Sequence, residues 1–243
     1  GRNALWALTR IDSPRAREIT ALAAMNPDAD IRKIALHSIS LWRNDGGTGG
    51  LTTLLINPDP QVRRVAAEAL GRIGKKEAVP ALLPAAAGTG SERFAEHSVL
   101  FALIEIGDEA GTRPGLRDEN VSTRKAALIA LDQMTPGGYL KAAEVTPLLT
   151  SANPILKETA TWIVSRHKDW GGALAGYFEE RLSSLQWKDP NAAEPLNELA
   201  PFAQAREIQQ LLTELAQTTK PAAAHLFAIE AMGRANLKNT PPE

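Results

Sequence analysis

The chain has 243 residues, 44% hydrophobic but only 5% aromatic, with 27 Lys+Arg against 28 Asp+Glu and no Cys. That length suffices for a buried core, while the balanced charge withholds the bulk basicity that phosphate neutralisation draws on. The lack of Cys removes disulfides, thiolate metal ligands, Cys nucleophiles and C-x-x-C-H haem attachment within these residues, and no run of 18 apolar residues is present to span a membrane.

Ala and Leu abound, and β-branched runs of period two are scarce, so every expected element is a helix. In chain order, a helix at 2–11 is followed by pairs at 14–25 and 28–43, 48–57 and 59–74, and 77–88 and 91–107. Further pairs are expected at 108–117 and 119–134, 140–151 and 153–167, 170–186 and 190–203, and 205–218 and 221–236. Gly111, Pro114 and Gly115 predict a short or broken helix at 108–117. Within a pair the turn is polar: Asn26-Pro27-Asp28, Asn57-Pro58-Asp59, Arg117-Asp118-Glu119 and Ser151-Ala152-Asn153-Pro154. Pro stops the first helix there and Asp or Asn can cap the second, which often ends near a Gly, as at Gly74 and Gly107.

The second helices repeat one another. AAEALGRI at 66–73 returns as AIEAMGRA at 228–235. Ala35, Ala66, Val99, Ala127 and Ala160 fall in register at steps of 31, 33, 28 and 33, with Ala4 31 residues before and Ala228 68 residues after. Periods of this size signal stacked supersecondary units. Val62, Ala66, Ala69, Leu70 and Ile73 form one apolar helix face that a lone pair cannot bury, and stacking supplies the cover. The expected fold is an all-α α-solenoid of about seven helical hairpins: a single array over 1–243, degenerate at 168–220, where the register rests on Asp189-Pro190. The start at Gly1 rather than Met, with helical pattern almost at once, reads as a piece of a longer, multidomain chain.

The run Asp59-Pro60-Gln61-Val62-Arg63, with Ala66, Ala69, Leu70 and Gly71, resembles the HEAT-repeat motif D-P-x-V-R-x-x-A-x-x-A-L-G, and Asp30-Ile31-Arg32-Lys33-Ile34-Ala35 follows it more loosely. The resemblance covers nearly the whole chain. It implies an inter-repeat ladder of turn Asp and helix Arg, matched by Asp59 with Arg63, and by Arg32 and Arg124 for the Arg. Glu96 departs from the pattern and Lys157 matches it in part, so the ladder is expected to break at the third and fifth full repeats. A narrower resemblance rests on FAEHSVLFALIEI at 94–106, ALIALDQM at 127–134 and WIVSRHKDWG at 162–171. Together they are similar to the HEAT segment of large bacterial membrane-bound dehydrogenase-type proteins, in which a sugar-dehydrogenase-like β-propeller and a cytochrome module can share the chain. That implies an exported, periplasmic protein whose redox chemistry lies outside these residues, although no signal peptide is visible in them.

Candidate chemistry is sparse, so neither a catalytic residue nor a metal site is expected, and no cofactor. His97 stands beside Glu96, but Glu105 lies eight residues on, too far to share an ion comfortably; a Glu-His pair bracing a neighbouring repeat is the simpler reading. His37, His167 and His225 have no acidic residue four positions on. No G-x-S-x-G elbow occurs. Neither Gly46-Gly47-Thr48-Gly49-Gly50 nor Gly88-Thr89-Gly90 is followed by the Lys-Ser/Thr of a phosphate loop.

One column across the repeats carries more information. The position of Glu68, opposite the buried face, is filled elsewhere by Trp6, His37, Phe101, Ile129, Trp162 and Glu230. Large apolar side chains there would form a ridge on the concave face that HEAT second helices line, a candidate site for a protein or a neighbouring domain of the same chain. Alternatively Trp6, Phe101 and Trp162 lie sideways and seal gaps between repeats. Basic residues recur nearby at Arg32, Lys33, Arg63, Arg64, Arg124, Lys125 and Lys157, as in HEAT-like DNA-repair enzymes, but Glu96 and Glu158 break the stripe. The expected function is a non-catalytic docking scaffold inside an exported dehydrogenase/cytochrome-type protein. A DNA-binding or DNA-repair enzyme is the alternative, and a phycobilin-lyase-like protein, without Cys or a pigment-site signal, is a third.

Overall fold

A computed structural model describes residues 1–45, 48–88, 93–184, 193–217 and 222–234. Gly46, Gly47, Thr89, Gly90, Asp189 and Pro190, and the expected helix starts at 91, 190 and 221, lie outside the described residues. All regular structure among the described residues is helical, and the chain forms two compact units, Gly1–Tyr139 and Leu140–Glu243.

Unit 1 contains α1 (Arg2–Thr9), α2 (Pro14–Leu22), α3 (Ala29–Trp42), α4 (Thr48–Thr53), α5 (Pro60–Ile73), α6 (Val79–Ala87), α7 (Arg93–Ile106), α8 (Glu109–Thr112) and α9 (Val121–Gln133). Successive second helices, α1, α3, α5, α7 and α9, pack side by side, and the first helices pack against them. The apolar stripe of α5 faces inward: Val62, Ala66, Ala69 and Leu70 are fully buried, and they join one continuous core with Ala35, Leu36, Leu82, Leu103 and Ala127. Each fully buried Leu or Val contributes on the order of 2 kcal/mol.

Unit 2 contains α10 (Ala142–Val145), α11 (Pro154–Arg166), α12 (Gly171–Ser184), α13 (Ala193–Leu199), α14 (Arg206–Gln217) and α15 (Ala222–Arg234). Phe178, Phe202, Leu156, Ile163, Leu174 and Leu182 are its largest fully buried side chains. Here α12 packs on α14, and α15 packs on both α13 and α14.

The second helices α3, α5, α9 and α11 begin at or within two residues of where the polar turns predict, and a paired device starts these four. Asp28, Asp59, Asn120 and Asn153 are the N-caps, each accepting from backbone N–H groups two or three residues on. The residue two places earlier in turn accepts from the cap's own N–H: Asn26 at 2.9 Å, Asn57 at 3.0 Å, Asp118 at 2.8 Å and Ser151 at 3.2 Å. Two consecutive side-chain turns thus fix the reversal between first and second helix. Gly74 and Gly107 take the left-handed conformation that ends α5 and α7, at φ +77° and +66°.

The first helices depart from the sequence reading. Those expected at 14–25 and 48–57 end as 3₁₀ turns, Ala23–Met25 and Leu54–Ile56. That at 108–117 is instead broken as Gly111, Pro114 and Gly115 predict, with four α residues followed by a 3₁₀ segment, Arg113–Arg117. The one at 140–151 divides the same way, into α10 and a 3₁₀ segment Thr146–Thr150. Pro114 and Pro147 sit at the junctions, where the missing N–H and the ring disallow a continued α-helix.

Candidate docking surface and cavity

In unit 1 the column through Glu68 lies on the outer side of the second helices. Trp6 is 44% exposed. His37 is exposed, and Glu68, Phe101 and Ile129 are half-buried. The row interlocks from helix to helix. The Trp6 and His37 rings stand 5.6 Å apart, tilted, and the Arg72 guanidinium of α5 lies 5.5 Å from the Phe101 ring centroid on α7. Glu68 holds the Arg64 guanidinium at 3.5 Å. The side chains therefore brace neighbouring repeats and present apolar surface at once.

Among the described residues, the ladder arginines Arg32 and Arg63 bond to backbone carbonyls. Arg32 Nη1 donates to the carbonyls of Asn26 and Pro27 at 2.8 and 2.9 Å, and Arg63 Nη1 donates to those of Asn57 and Pro58 at 2.7 and 3.3 Å. Both arginines thus clamp the turn of their own repeat. Asp59 is engaged as the cap of α5, and the side chain that approaches it from α3 is Lys33, at 4.0 Å. The Nε of Arg124 is buried without a hydrogen-bond partner. Links between repeats come from neighbouring positions: Arg2 to Asp30 at 2.8 Å, Lys125 to Glu96 at 2.7 Å and, in unit 2, Lys157 to Glu194 at 3.2 Å. Glu96 and Lys157, where the Asp–Arg pattern lapses, each take part in such a link. Asp30 is held below the usual carboxylate range, first by its hydrogen bond from Lys33 and then by Arg2.

The basic column is correspondingly engaged: Lys33 pairs with Asp30, Arg64 with Glu68, Lys125 with Glu96 and Lys157 with Glu194. Among the described residues no three His, Asp or Glu side chains stand close enough to hold a metal ion.

In unit 2, Trp162 is 40% exposed on α11, with the Arg166 guanidinium 5.0 Å from its ring centroid. Beside it, between α11 and α13, lie two adjoining hollows of about 400 and about 500 Å³ that share Thr161, Ser165, Glu194 and Glu198. Tyr177, Phe178 and Phe202 line the first, and Trp162 and Lys157 line the second. The Tyr177 hydroxyl donates to Glu198 Oε2 at 3.0 Å. Burial pushes both groups up: the phenol is held well above its ordinary range, and the Glu198 carboxyl above the ordinary carboxylate range despite the Tyr177 hydrogen bond, Arg181 and Lys157. Sequence reading missed this site because the repeat register is lost there. The available signals were the aromatics Tyr177, Phe178 and Phe202 in a chain poor in them, and Glu194 and Glu198 one helical turn apart.

Residues 16–104 match the family model of HEAT repeats. No curated protein matches the chain. Among solved structures the chain is similar to yeast importin-β, with a TM-score of 0.53 and 12% identity over 96% of this chain, and it spans 38% of importin-β. That likeness shows the fold, an α-solenoid. The complex of CpcE and CpcF of phycocyanin lyase from Nostoc sp. PCC7120 matches at 21% identity and TM-score 0.44, over 97% of this chain and 87% of that one. An archaeal HEAT-like repeats protein from Thermococcus onnurineus NA1 matches at 12% identity and TM-score 0.42, over 97% of each chain.

Proposed function

We propose that this α-solenoid, whose residues 16–104 are HEAT repeats, is a non-catalytic docking scaffold. Its contact surfaces are the row of Trp6, His37, Glu68, Phe101 and Ile129 on unit 1 and the exposed Trp162 on unit 2. The observation that carries the reading is the exposure of Trp6 and Trp162, at 44% and 40%, on outward faces of second helices. A large aromatic left in water on a rigid helix is the residue type that dominates binding energy at interfaces. Repeat scaffolds of this kind work by presenting such rows to another protein.

The finer reading is that the partner is a neighbouring domain of the same polypeptide, in an exported, periplasmic protein of dehydrogenase/cytochrome type. It is supported by the runs at 94–106, 127–134 and 162–171. Sequencing the coding DNA on both sides tests it. A signal peptide and propeller upstream with C-x-x-C-H downstream would support it, and a start codon just before Gly1 with a stop just after Glu243 would sink it.

The docking reading itself is tested by a photo-reactive amino acid at position 6 or 101 in the whole protein. The expected outcome is cross-linking to one defined partner or domain. Phe101→Ala with Trp162→Ala should then weaken that association by about tenfold or more with unchanged helicity. Loss of helicity instead would assign these side chains to packing alone.

A further inference from the structure

Glu198 is a half-buried carboxyl group that Arg181 and Lys157 approach without pairing with it among the described residues. Its one hydrogen bond is from Tyr177, and among the described residues it makes no ion pair. Glu194, by contrast, is engaged by Lys157 at 3.2 Å and Arg181 at 3.6 Å. Glu158, exposed at the rim, also has no ion pair among the described residues. Three carboxylates therefore line the paired hollows against one lysine. Most of the remaining lining is apolar, with Tyr177, Phe178 and Phe202 in the first hollow and Trp162 in the second, joined by the polar side chains of Thr161, Ser165 and Asn197.

We propose that these hollows hold a basic segment of a partner protein, with a Lys or Arg side chain reaching Glu198 and its aliphatic stem lying along the aromatic wall. A side chain with an apolar stem and a cationic tip matches an apolar cavity that ends in an unpaired carboxylate. Such a tip supplies the charge-assisted hydrogen bond that Glu198 lacks. Size selects a peptide over a lone amine: two adjoining hollows of about 400 and about 500 Å³ exceed what one side chain fills. The ion pair Lys157–Glu194 links α11 to α13 across the rim of this space. The inference rests on the docking reading and deepens it for unit 2 alone.

The test uses fluorescein-labelled Ser-Leu-Lys-Leu-Ser, its Arg and Glu counterparts, and n-butylamine as competitor, with the whole 243-residue chain. The Lys and Arg peptides should bind about tenfold or more tighter than the Glu peptide. Glu198→Gln, which keeps the acceptor for Tyr177, should lose about tenfold of that binding. Thr161→Trp, which fills the shared part of the hollows, should lose it as well, and circular dichroism would verify that both variants fold. Equal binding of the Lys and Glu peptides, or a Glu198→Gln variant that binds as the parent does, would overturn the proposal. Butylamine binding as tightly as the Lys peptide would overturn the peptide occupant and leave a site for small amines. Cross-linking from position 101 on unit 1 does not involve these hollows, so its success or failure is read separately.

Discussion

Gly71 of α5 lies so close to Ala102 of α7 that a Cβ on the glycine would stand 2.6 Å from the Ala102 Cα and 3.0 Å from its Cβ. The obstacle is backbone, which cannot rotate away. Gly71→Ala should gain up to about 1 kcal/mol of helix propensity and lose about 1–3 kcal/mol to overpacking. The expected net is destabilisation, read as a lower urea midpoint at unchanged slope. A raised midpoint would mean that α5 and α7 can separate without loss. The Gly of the repeat motif is thus a packing requirement, set by how closely two second helices approach.

The double turns before the second helices make a second prediction. Asp59→Ala removes the cap of α5 and should cost about 1 kcal/mol, whereas Asp59→Asn should cost only a few tenths. Asn57→Ala removes the hydrogen bond to the Asp59 N–H and loosens the carbonyls that Arg63 grips. Because the two residues share one turn, their losses should be non-additive by about 0.5 kcal/mol or more in a double-mutant cycle. Strict additivity would show that the two side chains act independently.

Lys125 and Glu96 join α9 to α7 at 2.7 Å, with side chains 31% and 26% exposed. Lys125→Glu and Glu96→Lys should each destabilise by about 1 kcal/mol or less, and the double exchange should restore most of the loss. In about 1 M salt the coupling should shrink, since screening there acts over about 3 Å. A cycle with no coupling at low salt would reduce the rung to a surface contact.

The pair turns, the register of Ala35, Ala66, Val99, Ala127 and Ala160, and the helix ends at Gly74 and Gly107 were all legible in the sequence, because each is a local signal repeated under one packing constraint. The 3₁₀ endings were less so. A single Pro announces that a helix stops, but whether its last turn tightens depends on what covers it. The pairing of Asp59 with the α3 side chains was less legible for a related reason. Sequence shows an Asp and an Arg at matching positions, but the Asp was already committed as a cap and the Arg fork matched two carbonyls of its own turn, leaving Lys33 to reach across. The cavity of unit 2 was invisible to repeat logic, since it exists where α11 and α13 do not close as α5 and α7 do.

Glu198 gives the last prediction, in which stability and binding move in opposite directions. The groups facing it are Tyr177, Glu194, Arg181 and Lys157, and the net effect, led by burial, is to raise its carboxyl above the ordinary range. The folded state therefore binds this proton more tightly than the unfolded chain does. Its contribution to stability is present at low pH and is lost as pH rises through the raised value, above which the half-buried charge is a constant cost. Glu198→Gln abolishes that cost and keeps the acceptor for the Tyr177 hydroxyl at 3.0 Å. Thermal melts should find the variant more stable than the parent at pH 7, with the difference closing toward pH 4 as the parent's carboxyl protonates. A variant destabilised equally at every pH would show that the carboxylate is a satisfied structural group. A variant that is stabilised at pH 7 yet loses the Lys peptide would mark Glu198 as a charge kept, at some cost in stability, for a cation from outside the chain.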